Sequence, residues 1–262
     1  MDINGLDLGD TNVDINIVAE GEDMNRDVTN RINSFLDEWI PPKIRDSRFI
    51  VKILFRLVIG KEYVYYMNFK QKLPNLNEKE INRYYKVLDK TFVSRETHCN
   101  KACIDRILRE TEGKKILDVA AGRGFIAKTL FQKDSSLDCT VSDIVLLDKK
   151  DRIDGLKYVK ASITKLPFDD NAFDTVICTH ALEHIKECDL ALDEIRRVCK
   201  RKLLIVLPRQ REYKYTYDHI NFYPYKYNVE VLMNTGNFRK RENLTIEFLS
   251  NDWMIIEEMK KQ

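Results

Sequence analysis

A chain of 262 residues is long enough to bury a full core, and 44% hydrophobic with 33% charged residues excludes a disordered or fibrous protein. A net charge of only +2 gives no ground for a nucleic-acid partner. The charge is unevenly spread, with ten acids and two bases in residues 1–38 and eight bases and two acids in residues 42–72.

In chain order, residues 1–24 show no apolar period and read as an acidic arm. Asp27 to Trp39 has helical spacing, stopped by Pro41-Pro42. Residues 45–59 predict the clearest amphipathic helix. Arg45, Arg48, Lys52 and Arg56 recur at three- and four-residue steps, with Phe49, Ile50, Ile53, Leu54, Leu57 and Val58 between them. The pattern fits a helix on the core with a solvated basic stripe, or a peripheral contact with a membrane surface. Tyr63, Tyr65, Tyr66, Pro74 and a helix near Glu78 to Asp89 complete an N-terminal arm and helical cap over residues 1–95.

A second unit spans residues 96–262. A helix from Asn100 to Thr111 leads to Gly113, and then strands and helices alternate. They fall at Ile116–Ala120, Gly124–Gln132, Asp138–Ser142, Tyr158–Lys160, Thr175–Thr179, Leu190–Cys199 and Leu203–Leu207. Such alternation predicts a parallel sheet covered on both faces. Two tail strands follow, near Leu244–Leu249 and Trp253–Glu258. Cys99, Cys103, Cys139, Cys178, Cys188 and Cys199 form no C-x-x-C pair. The start of the chain is acidic without an apolar leader, and no apolar run reaches the ~18 residues that span a bilayer. A reduced, cytoplasmic protein is the expectation.

The strand Lys115 to Val119 runs into Ala120-Ala121-Gly122-Arg123-Gly124 and then a helical pattern from Phe125. A strand, a glycine turn and a helix N-terminus make a pocket for a nucleotide-like cofactor. Gly122-x-Gly124-x-x-Ala127 with Asp143 downstream also fits a dinucleotide site, so a nicotinamide dehydrogenase competes at this point. Three further segments bear on the choice. Asp143 ends the second strand; Leu166-Pro167-Phe168-Asp169-Asp170-Asn171-Ala172-Phe173-Asp174 precedes the fourth; Thr179-His180-Ala181-Leu182-Glu183-His184-Ile185 follows it.

Together with Ile116 to Gly124, these segments resemble the class I S-adenosylmethionine-dependent methyltransferases, in the branch with many small-molecule and sugar methyltransferases. The resemblance covers roughly residues 95–258. It implies a Rossmann-like α/β fold, a seven-stranded mixed sheet with helices on both faces and the helical cap at the N-terminus. It makes residues 96–262 the catalytic domain and S-adenosyl-L-methionine the cofactor, with S-adenosyl-L-homocysteine as product. The glycine backbone at Ala120, Gly122 and Gly124 would admit the methionine part, and Asp118 would hold its ammonium group. Asp143, an acceptor-only carboxylate, would take the ribose hydroxyls, or else serve as a helix cap. Where relatives often carry an Asp for the adenine amino group, this chain has Ala161-Ser162-Ile163. Ser162 then offers a hydrogen bond, and Ile163 a backbone N–H and an apolar wall.

Methyl transfer needs a base only when the nucleophile carries a tightly held proton. His219, after the fifth strand, is the first choice and His180, at the end of the fourth, the second; a structural or orienting role stays open for both, and His180 also counts among the cofactor contacts. His184 would stabilise the turn, and His98 would line the cofactor opening. His180-Ala181-Leu182-Glu183-His184 also spells an inverted zinc-protease motif. That reading needs His180 in a helix, whereas Val176-Ile177-Cys178 reads as strand, so no metal is expected. Six tyrosines between Tyr213 and Tyr227, interleaved with Arg209, Arg211, Lys214 and Lys226, pack an insertion or form a substrate wall. Arg209, Arg211, Tyr213, Tyr217 and Tyr223 are the substrate candidates. The expected substrate is a small polar metabolite taking an O-methyl group, such as a sugar, a nucleotide-activated sugar or a capsule or surface-polysaccharide precursor. A membrane-associated lipid or quinone is the alternative, and a non-catalytic binding module a further one.

Overall fold

The apolar runs pair into one seven-stranded sheet in a computed structural model of the chain, which describes residues 39–67, 69–77, 80, 96–215, 219–235 and 243–259. The strands are β1 (Lys115–Val119), β2 (Asp138–Asp143), β3 (Lys157–Lys160), β4 (Phe173–Thr179), β5 (Cys199–Pro208), β6 (Leu244–Leu249) and β7 (Asp252–Glu258). Their order is β3-β2-β1-β4-β5-β7-β6. The first five run parallel, and β7 is antiparallel to both β5 and β6, so the sheet is mixed as expected. Chain order reverses between β1 and β4. Their carboxyl ends therefore border the crevice where ligands of open α/β sheets bind.

Successive residues of the central strands face opposite sides, which gives two cores. Leu117, Val119, Val176, Leu203, Ile205 and Ile255 pack on one face. They meet Leu192, Ile195 and Val198 of one helix (Cys188–Val198) and Val229 and Met233 of another (Lys226–Met233). Ile116, Ile177, Leu204, Val206 and Met254 pack on the other. There they meet Cys103 and Ile107 of the helix Lys101–Glu110, and Ile126, Ala127 and Leu130 of the helix Phe125–Lys133. Burial on both faces is why these strands read as near-continuous apolar runs.

Among the described residues, eight α-helices follow in chain order: α1 (Pro42–Arg45), α2 (Arg48–Ile59), α3 (Tyr63–Met67), α4 (Phe69–Lys72), α5 (Lys101–Glu110), α6 (Phe125–Lys133), α7 (Cys188–Val198) and α8 (Lys226–Met233). The expected helix over 45–59 is broken at Asp46-Ser47 into α1 and α2. The expectations for residues 1–24, for most of Asp27–Trp39 and for all of Glu78–Asp89 but Glu80 lie outside the described residues. No helix among the described residues is long and apolar enough to cross a membrane.

Two of the N-terminal helices, α1 and α4, meet the loop after β5. Arg45 donates to the Glu212 carbonyl at 2.8 Å and stacks 4.4 Å above the Tyr213 ring. Lys70 pairs with the Glu212 carboxylate and lies 4.9 Å over the Phe222 ring. On α2 the expected division into an apolar inner face and a basic outer face is incomplete. Val51 is buried, but Phe49 is 72% and Ile53 45% exposed, beside exposed Arg48, Lys52 and Arg56. Positions 49, 52, 53 and 56 share one helical face, so that face is apolar and basic at once.

Candidate active site

The turn after β1 is shaped by backbone that most residues avoid. Ala120, Gly122 and Gly124 have φ of 50°, 54° and 72°. Gly124 occupies the N-cap of α6, where it has no side chain to cap the helix, and a Cβ there would stand 3.0 Å from Val141. The free N–H groups of the first helical turn need another acceptor. Asp118 supplies it from the sheet, its Oδ2 accepting from the Ala127 N–H at 3.0 Å.

Asp118 is 1% exposed. Burial pushes its carboxyl up to about 7, and the nearby Asp143 adds to this while the Ala127 N–H opposes it. Its second oxygen, Oδ1, is buried and accepts no hydrogen bond among the described residues. Beside Gly122 a Cβ would find nothing within 4 Å, so the turn is open there. An unserved carboxylate oxygen at the end of β1 fits an ammonium group, whose three donors have no other purpose. The residues present therefore fit the methionine end of S-adenosylmethionine. When bound, that cofactor supplies a sulfonium methyl group open to in-line displacement.

Asp143 organises the same turn. Its Oδ2 accepts from Gly122 N–H at 2.8 Å and its Oδ1 from Val145 N–H at 2.9 Å. It caps two loops rather than a helix. Ser162 lies in a tight turn, 2.9 Å from the Thr164 hydroxyl. The Ile163 side chain is buried in the α7–α8 core and cannot be a cofactor wall, which leaves only its backbone for that purpose.

At the end of the neighbouring strand, His180 has φ of 49° and its N–H donates to the Val206 carbonyl at 2.9 Å. Its imidazole lies between two buried carboxylates, with Nδ1 3.4 Å from Glu183 and Nε2 3.4 Å from Asp252. Burial alone would lower its pKa, but Asp252 and Glu183 outweigh it and push it up to about 9. The two carboxylates favour the protonated ring, which weighs against His180 as the base and for the structural or orienting role. Asp252 in turn accepts from Asn100 Nδ2 at 2.7 Å, and Asn100 caps α5 through Cys103 N–H at 2.9 Å. The His98 ring is 6.4 Å from that of His180.

His219 is brought to the other side of Glu183. The Glu183 carbonyl accepts from Ile220 N–H at 2.8 Å and Asn221 N–H at 3.0 Å, and Asn221 Nδ2 donates to the Leu182 and Ile185 carbonyls. These bonds hold the His219 loop on the turn after β4, with the His184 and His219 ring centroids 4.8 Å apart. His219 Nδ1 bonds to Gln210 Oε1. A carbonyl oxygen only accepts, so Nδ1 carries a proton in this bond.

The substrate candidates separate. Tyr223 is only 5% exposed and packs in the core beside Cys188, its backbone carbonyl accepting from Trp253 Nε1 at 2.7 Å; it is no part of a substrate wall. Tyr213 lies under Arg45, and Arg209 lies 5.6 Å over the Phe248 ring. Arg211 is half-buried, and Tyr217 lies outside the described residues. Gln210 and Asp252 had no sequence signal, and Asn100 showed only as the start of a helix, because their further partners are distant in the chain.

Residues 117–207 match the family model described as a methyltransferase domain. The ubiquinone/menaquinone biosynthesis C-methyltransferase of Allorhizobium ampelinum is 34% identical over 110 residues, 37% of this chain and 43% of that one. The demethylmenaquinone methyltransferase of Renibacterium salmoninarum is 36% identical over 92 residues, 34% and 38% of the two chains. The phthiotriol/phenolphthiotriol dimycocerosates methyltransferase of Mycobacterium tuberculosis is 32% identical over 96 residues, 34% of each. The chain thus spans less than half the length of these curated relatives. The glycine turn and the buried Asp118 carboxylate at the end of β1 lie within the segment that matches this methyltransferase-domain model.

Proposed function

We propose that the protein transfers a methyl group from S-adenosylmethionine to a lipid- or quinone-type acceptor presented at a membrane surface. The observation behind the methyl-transfer part is Asp118 Oδ1, buried without a donor at the end of β1 beside the open glycine turn. Asp118 takes the ammonium group, Asp143 the ribose, and the backbone of Ala120, Gly122 and Gly124 the chain between them. Ser162 and the Ile163 backbone N–H remain the adenine contacts. On this reading residues 96–262 are the catalytic domain and residues 1–95 its appendage.

The acceptor side lies around Glu183, His184 and His219, at the carboxyl end of β4. Displacement forms the acceptor–carbon bond as the carbon–sulfur bond breaks, the electron pair stays on sulfur, and the acceptor loses its proton. His219 Nε2 is the group placed to take that proton.

Two observations favour a lipophilic acceptor. The outer face of α2 joins Phe49 and Ile53 to Arg48, Lys52 and Arg56, the composition of a surface that rests on anionic lipid. The relatives are named for quinone and lipid substrates. A sugar or capsule precursor has less behind it, since Arg45, Lys70 and Arg209 spend their charge on Tyr213, Glu212, Phe222 and Phe248.

The test supplies labelled S-adenosylmethionine with hydroquinone or lipid acceptors in anionic vesicles, and separately with nucleotide sugars and phosphorylated metabolites. Transfer confined to the vesicle acceptors is expected, with vesicle binding lost in Arg48→Glu/Lys52→Glu. Transfer to a nucleotide sugar instead would replace the acceptor assignment. Binding of NAD in place of S-adenosylhomocysteine would remove the methyltransferase reading.

A further inference from the structure

We propose that Glu183, His184 and His219 form a binding site for a divalent transition-metal ion of the zinc type. One ligand atom from each lies within 4.8 Å of the others, and His184 Nε2 is 4.0 Å from Glu183 Oε1. Ligands of a tetrahedral zinc stand roughly 3.3–3.5 Å apart. Side-chain movement of about 1 Å therefore closes the site, with no change in the backbone.

Glu183 carries the second, independent observation. It is 1% exposed, and both of its carboxylate oxygens are buried and accept no hydrogen bond among the described residues. The near neighbour is His180 Nδ1, 3.4 Å from Oε1. A buried carboxylate is costly, and coordination would add to the compensation that the His180 ion pair supplies.

The loop is held for the purpose. Ile220 and Asn221 donate to the Glu183 carbonyl, which keeps His219 against the turn that carries Glu183 and His184. Gln210 Oε1 holds the His219 Nδ1 proton and leaves Nε2 as the donor, the arrangement by which an outer partner sets a metal-binding tautomer. Two imidazoles and a carboxylate suit zinc, iron, cobalt or nickel better than magnesium or calcium. The H-x-x-E-H motif is thus half used. His180 ends a strand and is engaged by Asp252 and Glu183, and the third ligand comes from the loop after β5.

Three protein ligands leave a coordination position open. That position is placed for an oxygen of the methyl acceptor, a point that rests on the methyltransferase reading. With the ion bound, His219 Nε2 would be a ligand in place of the base, and the metal would lower the pKa of the coordinated acceptor oxygen so that its proton leaves to water before transfer.

Metal-free protein is titrated with Co²⁺ and followed by visible absorption, while S-adenosylhomocysteine binding measured by calorimetry reports on the fold. One cobalt per chain with four- or five-coordinate bands is expected. His184→Ala and His219→Ala should weaken it more than about 100-fold, and Gln210→Ala roughly 10–100-fold. Absence of those bands, or equal affinity in His219→Ala with S-adenosylhomocysteine binding retained, overturns the site. Methyl transfer lost on chelation and restored by Zn²⁺ or Co²⁺ supports the acceptor role, and transfer indifferent to chelation overturns it. If S-adenosylhomocysteine does not bind, the methyltransferase reading fails while the cobalt result stands on its own.

Discussion

Replacing Asp118 with Asn should stabilise the cofactor-free protein and weaken its cofactor binding, with both effects growing as pH rises. The folded carboxyl is raised from 3.8 to about 7 by burial. A raised carboxyl means the folded state holds more protons than the unfolded state between about pH 4 and 7. Stability therefore falls as pH rises through that window. Three pH units correspond to roughly 4 kcal/mol at most, all of it lost above pH 7. Asn keeps an oxygen for the Ala127 N–H and carries no charge to desolvate. At pH 8 the variant should be more stable by a few kcal/mol, and at pH 4 the two proteins should match. For a domain of this size each kcal/mol moves the melting temperature by roughly 2–4 °C.

Cofactor binding runs the other way, because the ammonium group selects the ionised carboxylate. In the unsubstituted protein the affinity for S-adenosylhomocysteine should drop about tenfold per pH unit below 7, with a proton released on binding. Thermal melts from pH 4 to 9 and calorimetry in buffers of different ionisation enthalpy measure the two halves separately. The reasoning is refuted if Asp118→Asn melts lower at pH 8, or if its advantage does not grow between pH 4 and 7.

Two stability predictions rest on other parts of the sheet. Gly124→Ala combines φ of 72° with a Cβ 3.0 Å from Val141, and should cost about 1–3 kcal/mol in urea denaturation at unchanged slope. Arg196 is buried between Glu257, at 2.9 Å, and the Met233 carbonyl, at 2.6 Å. Arg196→Met should cost roughly 3–5 kcal/mol because Glu257 is left charged and buried, and adding Glu257→Met should recover much of the loss. A double variant no more stable than the single one would show that the pair is not the cause.

The parallel sheet was readable because β1, β4 and β5 are buried on both faces, so Ile116, Leu117, Val176, Ile177, Leu203 and Leu204 form continuous apolar runs. The glycine turn and Asp118 were readable for the same local reason, since the turn, strand and helix are adjacent in the chain. For His180, second choice as base with a structural role left open, the surroundings of the ring are decided elsewhere in the chain. The antiparallel register pairs Asp252 with Pro208, which puts a carboxylate from β7 against a residue at the end of β4. No local pattern announces that. The tyrosine run was left open between packing and a substrate wall, and three-dimensional packing sends Tyr223 into the core and Tyr213 under Arg45. Helix α8 was missed because Tyr225-Lys226-Tyr227 looked like more of the same loop.

The backbone adds what the residue types conceal. Ala120 and His180 both have positive φ without being glycine, and each such residue costs about 1–3 kcal/mol unless its surroundings hold it. Each is held: the Ala121 N–H next to Ala120 donates to Ser142 at 3.2 Å, and the His180 N–H donates to Val206 at 2.9 Å. The two lie at the carboxyl ends of β1 and β4, the adjacent strands between which chain order reverses. One stands beside the carboxylate assigned to the cofactor and the other beside the Glu183 cluster assigned to the acceptor. Backbone strain is thus retained at both lips of one crevice and held there by bonds to β2 and β5.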